Sequence, residues 1–225
     1  MFIRKCHILL IFCIVTELTT CTPVFRPGLK KEACRPVCNT ELTSFFPENS
    51  TILYKTRIKA PGGRLSGILA IKTFPGSSCR MILMSEVGIR FFDFEFKGQN
   101  ASEFIVHQAM PGFDRKTLMQ TLEMNFRLLA LPGLCDSAGI FRQRKGTFIY
   151  YNIPCEKFSA WYRKDAPDGL VTKIFYTGKF RKKVKMILQD HKQGVPSVIR
   201  FSCGRLILRI ELTRIPHYKN GLPER

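Results

Sequence analysis

The chain is poor in acidic residues, with 17 Asp and Glu against 36 Lys and Arg, and its formal net charge at pH 7 is +19. Such an excess favours anionic partners, such as a lipid surface, acidic glycans or nucleic acid. The other interpretation is a solvated surface of exposed strands without a specific anionic partner. The charge alone does not separate these two interpretations.

The chain also lacks the local motifs of common catalytic sites. It has no Gly-x-Ser-x-Gly elbow, no His-Glu-x-x-His pair, no phosphate-binding Gly-Lys-Ser loop and no dinucleotide-binding glycine pattern. His107 is a lone candidate base. Asp93 and Glu95 form a candidate carboxylate pair, but such a pair on a strand is more often a solvated surface. We therefore expect no enzyme and no cofactor.

Long apolar runs are absent after the first residues, so no membrane-spanning helix is expected. The apolar stretch 8–15 is too short to cross a bilayer, and it follows Arg4 and Lys5. This arrangement predicts a signal peptide over residues 1–20. Its last residues, Leu-Thr-Thr followed by Cys21, are typical of a lipoprotein signal.

Cys21 is therefore predicted to be the first mature residue and to carry acyl chains such as palmitate. Each acyl methylene that enters the bilayer contributes about 0.8 kcal/mol to anchoring. Plain secretion is the alternative interpretation. An envelope location makes nucleic acid an unexpected partner.

The remaining cysteines are even in number, which permits three disulfides or a set of small buried thiols. Zinc sites need closely spaced ligand pairs, and the four histidines have no such spacing, so no metal is expected. The cysteines are Cys34, Cys38, Cys79, Cys135, Cys155 and Cys203.

Turn-forming residues recur about every ten positions and separate runs of β-favouring residues. Residues 22–50 are predicted to be a tether followed by a short helix or loop, and 216–225 a loose tail. Residues 155–162 are compatible with a short helix or a strand. The predicted strands are 53–59, 63–73, 79–85, 89–97, 103–108, 145–151, 171–177, 180–188, 197–202 and 205–212.

One amphipathic helix is predicted over residues 114–131, with Asp114 as its N-cap. Its apolar positions recur at helical spacing and form one stripe, and Leu131-Pro132-Gly133 ends it. The stripe contains Leu118, Leu122, Phe126 and Leu129.

Several strands alternate apolar and polar residues, which predicts a sheet with one dry and one wet face. Phe92, Phe94 and Phe96 oppose Asp93 and Glu95. One helix cannot cover so many strands on a flat sheet. We therefore expect a mainly β, α+β fold: a curled antiparallel sheet, or incomplete barrel, of about 9–11 strands with a helical lid.

The stretches 66–72, 80–88, 91–94, 194–199 and 206–212, together with Cys21, the strand meander and the inserted helix, resemble the LolA/LolB-type envelope lipoproteins and uncharacterised lipoproteins of the Bacteroidetes. The resemblance covers most of residues 50–215. It implies an incomplete barrel with a hydrophobic cavity that holds acyl chains. Lipoproteins of that phylum exposed on the cell surface often carry acidic residues after the anchor, and their absence here implies a periplasm-facing outer-membrane location.

The expected function is a non-enzymatic, membrane-anchored lipoprotein that binds an acyl chain or a lipidated client between sheet and helix. The alternative is an interaction protein with a filled core and a basic docking face. A secreted disulfide-linked domain with glycans on Asn49 and Asn100 is a third possibility. The candidate lipid-contact residues are Phe92, Phe94, Phe96, Leu118, Leu122, Phe126, Leu206, Leu208 and Ile210.

Basic residues form a row on the predicted strand 180–188 and the turn before it. This row is a candidate for binding phosphates or lipid headgroups. An exposed strand whose charges discourage edge pairing is the alternative interpretation. The row contains Lys179, Arg181, Lys183 and Lys185.

Overall fold

The computed structural model describes residues 35–37, 42, 44–60, 63–76, 78–97, 103–113, 115–130, 140–155, 158–165, 169–178, 183–203 and 208–216. These residues form one antiparallel sheet of 13 strands and one α-helix. The elements are β1 (Arg35–Val37), β2 (Thr51–Ala60), β3 (Gly63–Phe74), β4 (Ser78–Met84), β5 (Arg90–Lys97), β6 (Glu103–Ala109), α1 (Lys116–Ala130), β7 (Ile140–Lys145), β8 (Phe148–Cys155), β9 (Phe158–Asp165), β10 (Val171–Gly178), β11 (Lys183–Lys192), β12 (Val195–Cys203) and β13 (Leu208–Arg214).

Most neighbouring strands of the sheet are also neighbours in the chain. The order is β1-β7-β8-β9-β10-β11-β12-β13-β2-β3-β4-β5-β6, so the last strand, β13, pairs with β2 and joins two meanders. Glycines with positive φ lie in turns that the sequence predicts: Gly76 (72°), Gly88 (86°) and Gly194 (79°). Strands β1 and β6 are the two edges of the sheet, and the described residues form no pairing between them.

In the chain, helix α1 follows β6, an edge strand of the sheet, and precedes β7, which pairs with the other edge strand, β1. Its 15 residues contain no glycine or proline, and its apolar residues recur every three or four positions. Arg127 in its last turn is favourably placed relative to the helix dipole. No helix among the described residues is long and apolar enough to span a bilayer.

The contacts of Phe126 on α1 show that the sheet is curled. Its ring centroid lies 5.7 Å from that of Phe92 on β5 and 5.9 Å from that of Phe201 on β12. These two strands are five places apart in the sheet, which corresponds to about 24 Å in a flat sheet. Because both rings contact one phenylalanine, the strands wrap around the helix.

The curl gives the sheet an inner face, towards α1, and an outer face. On β4, buried and partly exposed residues alternate along all seven positions, as a two-residue period requires. The inner face and α1 share one apolar core, which Leu42, Phe45 and Phe46 also join. The expectation of an unclosed, curled antiparallel sheet with one helix is therefore confirmed.

The predicted count of about 9–11 strands is too low, because the described residues alone form 13 strands. The prediction missed β1, which lies within the expected tether and pairs with β7. It also missed β7 (Ile140–Lys145), whose sequence IFRQRK is rich in charge. Residues 158–162 of the segment left open between helix and strand lie in β9 (Phe158–Asp165). Asp114, the expected helix N-cap, lies outside the described residues.

Candidate functional site

Strand β5 places three candidate lipid-contact residues on the inner face. Phe92, Phe94 and Phe96 are 1%, 0% and 0% exposed. The rings of Phe92 and Phe94 stack with centroids 4.3 Å apart and planes within 6°. These side chains therefore pack against one another and form part of the core.

The candidate residues of the helix and of the last strand lie in the same core. Leu122, Phe126, Leu208 and Ile210 are buried, and Leu118, near the start of α1, is partly buried against the core. Leu206 lies outside the described residues. The structure thus brings the described candidates together, and they fill the space between sheet and helix.

The inner face is less well covered along the edge strand β6. Val106 lies opposite Phe94 in the register, so both are on the same face, yet Val106 is 42% exposed. Met110 directly after β6 is 40% exposed, and its amide donates to the carbonyl of Phe91. The apolar core therefore reaches the surface along this edge.

Two partly buried phenylalanines connect this edge to the core. Phe104 lies 5.3 Å from Phe94 and 5.2 Å from Phe96, measured between ring centroids. Phe113 lies 5.9 Å from Phe92. We call the four residues Phe104, Val106, Met110 and Phe113 the β6 rim.

A cation on α1 lies close to the β6 rim. The guanidinium of Arg127 is 5.2 Å from the centroid of Phe96, which in turn contacts Phe104. Arg127 also donates to the Glu123 carboxylate at 3.0 Å. The rim thus combines an exposed apolar strip with a nearby charged group, the arrangement that an amphipathic ligand requires.

On the outer face, the interpretation of Asp93 as a solvated carboxylate is wrong. Its side chain is fully buried, and its oxygens accept hydrogen bonds from Arg80 Nε at 2.8 Å and Arg80 Nη2 at 2.9 Å. Arg90 Nη1 donates to Oδ2 at 3.3 Å. Two arginines therefore enclose a carboxylate that strand alternation assigns to the wet face.

The neighbouring carboxylate, Glu95, pairs with the candidate base His107. The distance from Oε2 of Glu95 to Nε2 of His107 is 2.7 Å. Both residues lie near the surface of the outer face. This exposure and the 2.7 Å distance give the pair the geometry of a surface interaction.

A second feature of the outer face is a depression of about 640 Å³. Six basic residues line it, and Glu211 is the one acid among its described lining residues. The outward positions of β2, β3, β11, β12 and β13 supply these charges. We call this depression the cationic groove; its basic residues are Arg57, Lys59, Arg64, Lys185, Arg200 and Arg209.

Of the basic residues of the groove, only Lys185 was among the candidates for phosphate or headgroup binding that the sequence predicts. Lys183 has its backbone in β11, and Lys179 and Arg181, the other members of that basic row, lie outside the described residues. The alternation of Lys55, Arg57 and Lys59 on β2 was a signal that could have indicated a second basic row.

A smaller cavity, of about 190 Å³, lies where the segment before β2 meets the turn between β11 and β12. His191 lines it together with Leu42, Phe45 and Lys164. Burial lowers the pKa of His191, although a backbone hydrogen bond with Val171 and the charge of Asp190 oppose this shift. Its Nε2 atom is buried and has no hydrogen-bond partner among the described residues.

Of the cysteines, Cys79 and Cys203 are buried free thiols, so the arrangement in which all six pair is not formed. Burial raises the pKa of Cys79 to about 12, which keeps the thiol protonated. The described residues contain no group of metal-ligating side chains. Cys21 lies outside the described residues, and its acylation stays a prediction.

No protein-family model and no curated protein sequence matches this chain. Among solved structures, the chain is similar to a LolA superfamily protein from Nitrosomonas europaea, with 10% sequence identity and a TM-score of 0.49. The match covers 76% of this chain and 86% of that chain. This similarity establishes neither family membership nor a function.

Proposed function

We propose that the protein is a membrane-anchored, periplasm-facing outer-membrane lipoprotein. In this proposal it is a binding protein without enzymatic activity. It binds an acyl chain of a lipid, or of a lipidated client, against the inner face of its sheet, with the β6 rim as the entry. Cys21 carries the acyl anchor.

The exposure of the β6 rim is the observation that carries the proposal. The other described candidate residues on the sheet are almost fully buried, whereas Val106 and Met110 are exposed and adjoin the core through Phe104 and Phe113. Each methylene that leaves water on this strip contributes about 0.8 kcal/mol to binding. Arg127 beside Phe96 is a cation near this strip that an acidic headgroup would share with Glu123.

Titration with a fluorescent fatty acid tests the proposal with a matched pair of variants. Val106→Glu puts a charge on the inner face of β6, and Ile105→Glu puts the same charge on the outer face of the same strand. We expect saturable binding to the unsubstituted protein, at least tenfold weaker binding to Val106→Glu, and nearly unchanged binding to Ile105→Glu. Equal affinities of the two variants would contradict the rim as the entry.

The anchor is tested separately by mass spectrometry of the mature protein. The expected N-terminal residue is Cys21 with the additional mass of two or three acyl chains. An unmodified N-terminus would exclude the anchor without affecting the result for the β6 rim.

The second candidate function is an interaction protein that binds no lipid in its core. The close packing of Phe92, Phe94 and Phe126 favours it, because these rings already fill the space under the helix. Absence of saturable fatty-acid binding at any concentration would favour this function over the carrier.

A further inference from the structure

Most of the positive charge in the cationic groove is not balanced by ion pairs with described residues. Arg200 donates to Glu211 at 3.1 Å and to Gln189 at 2.7 Å, so it is held by neighbouring side chains. The other five basic residues of the groove form no ion pair with any described residue.

The register explains why these charges lie so close together. Lys59 on β2 lies opposite Arg64 on β3 and Arg209 on β13, whereas Arg57 lies opposite Glu211. Residues that lie directly opposite in antiparallel strands have Cβ atoms about 5 Å apart, so like charges at these positions repel one another. An anionic ligand in the groove relieves this repulsion.

An exposed apolar turn adjoins the groove. In the turn between β4 and β5, Val87 is 83% exposed and Ile89 is 57% exposed. Glu86 in this turn reaches Lys55 on β2, with Oε1 and Nζ 3.9 Å apart. Lys55 lies two residues before Arg57 on the same face of β2, so the turn borders the groove.

Basic residues beside exposed aliphatic side chains match the interface of an anionic bilayer, where phosphates lie next to acyl chains. We propose that the cationic groove binds the phosphate headgroup of an anionic membrane lipid while Val87 and Ile89 enter the bilayer interface. This contact depends neither on acyl binding at the β6 rim nor on acylation of Cys21.

The test uses residues 21–225 with Cys21→Ala in every variant, so that neither the predicted signal peptide nor an acyl anchor contributes. Binding is measured by flotation with vesicles of equal parts phosphatidylglycerol and phosphatidylcholine, and with vesicles of phosphatidylcholine alone. We expect at least tenfold stronger binding to the phosphatidylglycerol vesicles. Equal binding to both kinds of vesicle would overturn the proposal.

Two double variants remove the same charge from different places. Lys59→Gln with Lys185→Gln empties the groove of two cations, and Lys97→Gln with Lys192→Gln removes two exposed cations from the opposite end of the sheet. A basic residue at an anionic surface contributes about 1 kcal/mol, so the groove variant should bind about thirtyfold more weakly. The control should lose less than threefold, and equal losses would show attraction by net charge alone and overturn the proposal.

The apolar contribution has its own variant, Val87→Ser with Ile89→Ser, which leaves the charge unchanged. We expect it to weaken binding to phosphatidylglycerol vesicles at least fivefold, and unchanged binding would overturn the insertion of this turn. Urea unfolding of all variants confirms that the substitutions leave the fold intact.

Inositol hexakisphosphate distinguishes a lipid headgroup from a soluble phosphate ligand. Displacement of the protein from vesicles by this probe, in a manner that requires Lys59 and Lys185, would support phosphate binding in the groove. Binding of the probe without any binding to vesicles would overturn the membrane lipid as the ligand.

Discussion

The outer face of the sheet carries two arginine-rich regions that differ in how their charge is balanced. Around Asp93, the carboxylate is fully buried and receives hydrogen bonds from Arg80 and Arg90. In the cationic groove, five of the six cations form no ion pair with any described residue. The first region uses charge to hold neighbouring strands together, whereas the second leaves charge available for a partner.

The largest expected effect on stability comes from removing the Asp93 carboxylate, which two arginines balance. Asp93→Ala leaves Arg80 and Arg90 without their common acceptor; because both arginines are partly exposed, we expect the loss of these charged hydrogen bonds to lower the free energy of unfolding by about 2 kcal/mol. Glu95→Ala, which breaks the exposed pair with His107, should cost less than about 1 kcal/mol. Urea denaturation compares the two variants, and similar losses would show that Asp93 is not a structural ion pair.

A smaller effect is expected from changing the shape of the cation without changing its charge. Arg80→Lys loses the two-pronged contact with Asp93, which we expect to cost about 1 kcal/mol. Arg90→Lys loses only one longer hydrogen bond, of 3.3 Å, and should cost less. Denaturation curves that rank the two variants in the opposite order would contradict the assignment of Arg80 as the main partner.

Substitutions in the cationic groove should raise the free energy of unfolding, whereas those around Asp93 lower it. Neutralising Lys59 and Lys185 relieves repulsion in the groove, so the free energy of unfolding should rise by about 0.5 kcal/mol at low salt. The gain should disappear in 1 M NaCl, where the screening length is about 3 Å. A loss of stability at low salt would show that these lysines have structural partners.

His191 differs from both regions, because its burial favours the neutral form of the imidazole. Its pKa is lowered below the ordinary value of 6.5, so on acidification the unfolded chain takes up a proton before the folded chain does. The stability associated with neutral His191 is therefore complete above that ordinary value and is lost as the pH falls towards the lowered pKa.

This pH effect is the smallest of the four, and a variant measures it by difference. Between pH 7.5 and 5, the free energy of unfolding should fall more steeply for the unsubstituted protein than for His191→Asn. Carboxylates titrate in the same way in both proteins, so their contribution cancels. Parallel curves would show that His191 is not buried in the neutral form.

Much of the local structure could be predicted from the sequence. Phe92, Phe94 and Phe96 of β5 alternate with acids, and the structure places all three of them in the core. The apolar stripe of α1 was equally predictable from the sequence. The observed helix, Lys116–Ala130, lies within the predicted bounds of 114–131. These predictions succeed because the backbone sets the periods of strands and helices.

The candidate sites were harder to predict, because they depend on which strands become neighbours. Asp93 has the pattern of an exposed residue, and only the pairing of β4 with β5 places Arg80 next to it. Val106 and Met110 have the pattern of core residues, and they are exposed because β6 is an edge strand. Strand β7 was missed because its charged sequence is a strand only through its partners, β1 and β8.

The sequence by itself determined the sign of the surface, the side of each alternating strand that faces the core, and the position of the one helix. These follow from composition and from periods a few residues long. The tertiary structure decided the pairing of β13 with β2, which gathers Arg57 and Lys59 with Lys185 and Arg209 from the other end of the chain. It also decided the curl around Phe126 and the open edge at β6, because contacts between distant segments depend on the whole packed sheet and not on any local period.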